Sequence, residues 1–355
     1  MRKALIALST LLCAFALESC AKRPRLVVYT AAEADQIPAY EASFRKAHPE
    51  IDLLWVRDST GVVTAKLLAE KKAPQADVVF ALAATSMIQL DREGLLAPYA
   101  AKGVERLSPR FRDGQTPPHW TAEDLWGVAV CVNTIEAKKR NLPMPKSWED
   151  LTNPVYRGMI SMPNPASSGT GLLAVGAWLQ MFGEDKGWDY MQRLDRNVAT
   201  YVHSGSKPCK DAARGEIPIG ISIDFRAAQM KTQGLPVEVV IPSEGVGWDI
   251  EATGLVKGAR DPAAAEAFID WAMSPEAMRL YAKNLPLTAD PAAPAGLPGL
   301  PSDYTSRLAP VDLRWTAANR DRILDAWTQR FGAKSEPQTE SKPQTESKSQ
   351  TEPKS

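Results

Sequence analysis

The chain has 355 residues, 42 basic and 42 acidic side chains, a formal net charge of +0, and 44% hydrophobic against 24% charged residues. That length exceeds one typical domain and favours two lobes or one large α/β unit with a sizeable core. The charge balance leaves no basic footprint, so DNA and RNA partners are set aside.

Residues 1–19 combine a basic start with an apolar run of about 14 residues, short of the roughly 20 that span a bilayer, and read as an export signal. The following Leu17-Glu18-Ser19-Cys20 resembles a bacterial lipobox, so Cys20 is the expected lipidation site and 20–24 a linker. RLVVYT (25–30) is strand-like, and a helical pattern runs through Tyr40, Phe44 and Ala47 to Pro49. IDLLWVRD (51–58) is a second strand that breaks at Ser59-Thr60-Gly61 into a helix, and ADVVFAL (76–82) is a third. Strands alternating with helices predict a parallel sheet with right-handed crossovers and ligands beyond the carboxyl ends of the strands. Those ends carry Thr30 to Glu33, Asp58 to Gly61 and Ala83 to Ser86.

The middle repeats the plan: strand-like runs at 127–134, 158–164, 200–206 and 217–224 alternate with helices starting near Ser147, Ser168, Cys209 and Arg226. Runs at 238–246 and 251–259 return as strands, and one helix is expected over 261–283, capped by Asp261 before Pro262. No transmembrane span is expected. The last residues repeat QTESKP, QTESKS and QTEPKS without an apolar side chain, so 333–355 reads as a tail that has nothing to bury.

With Cys13 in the signal and Cys20 lipidated, Cys131 and Cys209 remain, which outside the cytoplasm either pair or pack as small hydrophobes. The three histidines, His48, His119 and His203, show no metal-ligand spacing, and neither metal nor cofactor is expected.

YTAAEADQ, WVRDSTGVVTAKLLAEKKAPQADVVFALAATSM, NPASSGTG, HSGSKPCKDAARGE and IGISIDFRAA together resemble the periplasmic solute-binding proteins of ABC importers, in the branch with the ferric-ion-binding proteins and closest to the 2-aminoethylphosphonate-binding members. The resemblance covers about residues 25 to 320. It implies a type II fold of two α/β lobes joined by two hinge crossovers, with parallel-type sheets flanked by helices, closing on a ligand. Lobe 1 would take 25–128 and 246–332, and lobe 2 would take 129–245. It also implies a monomer that delivers its solute to separate permease and ATPase chains, since no Walker motif occurs here.

A helix N-terminus offers unpaired N–H groups and partial positive charge to a phosphate-like anion. Gly169 would let the ligand approach the backbone while Ser167, Ser168 and Thr170 supply hydroxyls, and Ser59-Thr60-Gly61 repeats that arrangement in the other lobe. The alternative is that these residues are only N-caps. An aminoalkyl phosphonate also needs a carboxylate for its ammonium. Candidates are Glu33, Asp224, Asp249 and Glu251, with Asp224 foremost because Phe225 stands where ferric relatives use a tyrosine pair. Thr30, Ser204 with His203 and Ser206, Arg226, and Trp248 with Trp126 complete the expected cleft. Within the same fold the alternative solutes are a ferric ion with a synergistic anion and a polyamine; a hydrolase built on Ser168 lacks a Gly-x-Ser-x-Gly elbow, and a purely structural lipoprotein would leave the polar strand ends unexplained.

Overall fold

The computed structural model describes residues 23–294 and 296–337. The expected signal, Cys20 and the hexapeptide repeats lie outside them, and among the described residues no helix is long and apolar enough to cross a membrane.

β1 (Arg25–Thr30), α1 (Ile37–Ala47), β2 (Asp52–Arg57), α2 (Thr60–Ala69), β3 (Val78–Ala83) and α3 (Ala84–Arg92) alternate, as the apolar runs predict. β1 lies between β2 and β3, parallel to both. After the short β4 (Leu96–Ala97) comes β5 (Thr121–Asn133), longer than its expected 127–134 and buried along its whole length. The second lobe follows with α4 (Thr134–Lys139), β6 (Ile160–Pro163), α5 (Gly169–Phe182), α6 (Glu184–Asp195), β7 (Val198–Val202), α7 (Lys207–Ala213), β8 (Ile219–Ile223), α8 (Asp224–Thr232) and β9 (Val237–Val240). The chain returns through β10 (Trp248–Val256), α9 (Pro262–Ala272), α10 (Pro275–Tyr281), β11 (Leu287–Thr288) and α11 (Leu313–Phe331).

β5 is the structural bridge. Its first half pairs with β10 and β11 in the first lobe, and its second half pairs with β8 and β9 in the second. Residues 241–247 form the other crossover. β6 is parallel to β7 and β8, whereas β5 and β10 run antiparallel to their neighbours, so each sheet is mixed where parallel-type sheets were expected. A crossover strand must enter one sheet and leave for the other, and its direction is set by that path.

Each lobe has an aromatic core. Phe80 packs edge-on against Tyr40 and Phe268 at centroid distances of 5.7 and 5.4 Å, and Trp178 lies 5.2 Å from Trp148 and 5.1 Å from Tyr190. Truncating a buried aromatic to alanine costs about 3–5 kcal/mol, so these clusters contribute strongly to the stability of each lobe. Cys131 on β5 and Cys209 on α7 form a disulfide with Cα atoms 5.4 Å apart, tying α7 to the bridge strand.

Three further expectations change. The helix expected over 261–283 is two helices, because Pro275 lacks an N–H and Ser274 caps a fresh start by accepting from Ala277 N at 3.2 Å. The C-terminal helix, expected on the first lobe, packs on the second as well: Gln180 Nε2 donates to Thr316 Oγ1 at 3.0 Å, and Trp327 meets Tyr201 ring to ring at 4.7 Å. The chain then runs beside β7 as far as Pro337, where Glu336 N donates to Tyr201 O at 2.9 Å, so ordered contacts extend past residue 333.

Candidate functional site

The N-termini of α2 and α5 face each other across the cleft between the lobes. Gly61 N donates to Ser167 O at 2.9 Å, and a Cβ placed on Gly169 would lie 2.8 Å from Thr60 Oγ1. Ser168 caps α5 by accepting from Gly171 N at 3.4 Å, while Ser59 makes no side-chain cap. Among the described residues, the backbone N–H groups of Thr60, Gly169 and Thr170 and the hydroxyls of Ser59, Thr60 and Thr170 have no hydrogen-bond partner. These donors, together with the guanidinium of Arg57, border one cavity of about 30 Å³. One water needs roughly 10–15 Å³ by the same measure, so the lobes are nearly shut around these donors. Capture requires them to part.

Closure is held by charges. Arg226 on α8 donates to both carboxylate oxygens of Asp35 at 2.8 Å and to Glu33 Oε2 at 2.9 Å. Lys210 on α7 reaches Glu33 at 3.2 Å, and Arg57 lies 3.7 Å from it. Although burial opposes ionisation, Lys210, Arg226 and Arg57 hold the Glu33 carboxyl below its ordinary value. His203 Nε2 meets Asp58 Oδ1 at 2.8 Å, again lobe to lobe. Glu33 and Arg226, both expected at the ligand, pair with each other, and of the two Glu33 borders the cavity.

Behind the helix ends lies an acidic floor. Asp224 is fully buried, accepts from Tyr304 Oη and from Phe225 N, and is pushed up to about 7 by burial. Asp249 accepts from Thr85 Oγ1 at 2.8 Å and from Ile250 N at 2.8 Å, and burial raises it to about 6. Glu251 borders the cavity, and burial together with Glu33, Asp249 and Asp224 pushes it up to about 8. Asp124 is raised well above the ordinary range by burial and by Glu251, Glu123 and Asp224.

The other expected residues divide clearly. Thr30 accepts from Ala32 N at 3.0 Å and shapes the loop to Glu33; Ser167 Oγ donates to His203 O at 2.8 Å and joins two loops. Gly205, next to Ser204, borders the cavity; Ser204 itself does not. Trp248 donates from its indole to Ala309 O at 2.8 Å, outside the cavity, and Trp126 is the tryptophan that borders it. Sequence reasoning missed Arg57, whose only signal is its position at the carboxyl end of β2 beside Asp58-Ser59. A grouping of metal-ligand side chains occurs at Asp91, Asp113 and His119, within 4.8 Å of one another, and none of the three borders the cleft.

The bacterial extracellular solute-binding protein family model matches residues 73–308. A Haemophilus influenzae protein is 34% identical over 73% of this chain and 76% of its own length. The "Probable ABC transporter periplasmic-binding protein y4fP" of Sinorhizobium fredii is 26% identical over 76% of this chain and 75% of its own. Among solved structures, the periplasmic binding protein AfuA of Actinobacillus pleuropneumoniae, with fructose-6-phosphate bound, superposes with a TM-score of 0.81 at 30% identity, covering 87% of this chain and 99% of that one. With two lobes, a bridging strand and polar strand ends meeting in a cleft, the chain belongs to the bacterial extracellular solute-binding proteins, periplasmic binding proteins that deliver small molecules to ABC importers.

Proposed function

We propose that this protein captures a small phosphonate of the 2-aminoethylphosphonate type, or a close phosphate monoester, between its lobes and hands it to separate permease and ATPase chains. A lipid on Cys20 would tether it to a membrane surface. The observation that carries the reading is the convergence of donors: the N–H groups of Thr60, Gly169 and Thr170, the hydroxyls of Ser59, Thr60 and Thr170, and Arg57. Helix N-termini favour a tetrahedral anion, and hydroxyl and guanidinium donors complete its coordination. AfuA, which holds a sugar phosphate, supports a phosphoryl group as the recognised feature.

A thermal-shift panel of 2-aminoethylphosphonate, fructose 6-phosphate, inorganic phosphate and ferric citrate tests this, because a ligand that binds only the folded state raises Tm. A phosphonate or phosphate ester is expected to give the largest rise. A rise with ferric citrate alone overturns the reading.

A further inference from the structure

Two carboxyls, Glu251 on the cavity wall and Asp124 opposite it, accept from no described residue. Asp124 on β5 and Glu251 on β10 stand opposite each other in the register of the crossover strands. Neither receives a hydrogen bond or ion pair from a described residue, and Asp124, 1% exposed, has Oδ1 buried without a donor. Trp126, two residues along β5, borders the same cavity with its indole N–H buried and unpartnered. Neighbouring buried acids behave differently: Asp249 is met by Thr85 and a backbone N–H, and Asp224 by Tyr304 and a backbone N–H. Glu251 borders the cavity and Asp124 stands directly opposite it on the neighbouring strand; buried polar groups are almost always satisfied, so acceptors left open at the cavity wall and next to it point to a donor that the solute brings.

The surroundings define that donor. Facing the pair are Glu33, Asp249, Asp224 and Glu123, with Tyr40 of α1 and Tyr281 of α10 behind them. No basic side chain pairs with either carboxyl; the nearby cations, Arg226, Lys210 and Arg57, are turned to Glu33, and Arg57 also donates to Ala32 O. A group of acids with no cation of its own is complementary to an ammonium.

We infer that Asp124 and Glu251 form the subsite for an amine carried by the solute, beside the phosphoryl cradle, so the captured molecule is a zwitterion with a short spacer. This rests on the phosphoryl reading of the helix N-termini. With Glu251 pushed up to about 8, the pair holds a proton at neutral pH. The arriving ammonium keeps its own protons and replaces that one, which leaves for solvent.

Calorimetry of the full chain at about pH 7 with 2-aminoethylphosphonate and ethylphosphonate, in two buffers of different ionisation enthalpy, decides the matter. The aminated ligand is expected to bind at least about tenfold tighter and to release a proton, seen as buffer-dependent heat. Glu251→Gln, and separately Asp124→Asn, bring the affinity ratio to within about threefold and remove the buffer dependence. Thermal melts show whether each variant folds, and if neither does, the wild-type ratio decides alone. Equal wild-type affinities, or a ratio retained in both variants, overturn the inference while the cradle stands. If neither phosphonate binds, the cradle reading falls and the inference falls with it.

Discussion

The backbone N–H of Gly61 donates to the carbonyl oxygen of Ser167 at 2.9 Å, joining the first turn of α2 in one lobe to the approach to α5 in the other. The contact is possible only because residue 61 has no side chain: a Cβ there would lie 2.2 Å from Ala166 O and 2.9 Å from the carbonyl carbon of Ser167. Both neighbours are backbone and cannot rotate away, so the residue that admits full closure is set by sterics rather than by ligand chemistry.

Gly61→Ala is therefore expected to block the last step of closure. Affinity for 2-aminoethylphosphonate should fall by about tenfold or more, a loss of about 1.4 kcal/mol. Small-angle scattering should show a larger radius of gyration than wild type without ligand and a smaller contraction with it. Unchanged affinity would separate this contact from capture.

Arg226 joins α8 to Glu33 and Asp35 across the cleft while itself buried. Arg226→Gln leaves Glu33 to Lys210 and Arg57, and removing a charged partner from a buried acceptor costs about 1–3 kcal/mol. The cost falls on the closed state, so lobe opening in scattering should grow while the denaturant midpoint of each lobe moves little.

The Cys131–Cys209 disulfide closes a loop with a sequence separation of 78. The Cys131→Ser, Cys209→Ser double variant should lose about 2–5 kcal/mol of unfolding free energy by denaturant titration. Because α7 carries Lys210, the same variant should also loosen the contact to Glu33.

Asp249, Asp224 and Glu251, with folded values of about 6, 7 and 8, bind protons that the unfolded chain has already released. The native state then holds more protons than the unfolded one, so stability falls as pH rises through that window. The ligand-free Tm is expected to drop by about 5 °C between about pH 5.5 and 8.5, with a shallower slope in Glu251→Gln. A flat or rising profile would show that these carboxyls are ionised at no cost.

Much of the layout was legible because it is local. β-branched runs such as Leu26, Val27 and Val28 alternate with amphipathic helices, and Ser168-Gly169-Thr170 and Ser59-Thr60-Gly61 mark helix starts at strand ends by short-range capping chemistry. The break at Ser274-Pro275 is equally local, because a proline with a serine before it is a start signal.

The pairings were not legible. Glu33 meets Arg226 across 193 positions, and Asp224 meets Tyr304 across 80. Composition shows that acids and bases exist in equal number but not which are neutralised. Trp126 and Trp248 are equivalent in sequence, yet the antiparallel path of β5 and β10 turns one toward the cavity and the other toward Ala309. Two helix starts at strand ends could be read from the chain, since an N-terminus is a property of a few consecutive residues. That they face each other, that Glu33 pairs with Arg226, and that Asp124 and Glu251 accept from no neighbour are matters of the folded arrangement, because charge compensation is settled between residues that the fold, not the chain, makes neighbours.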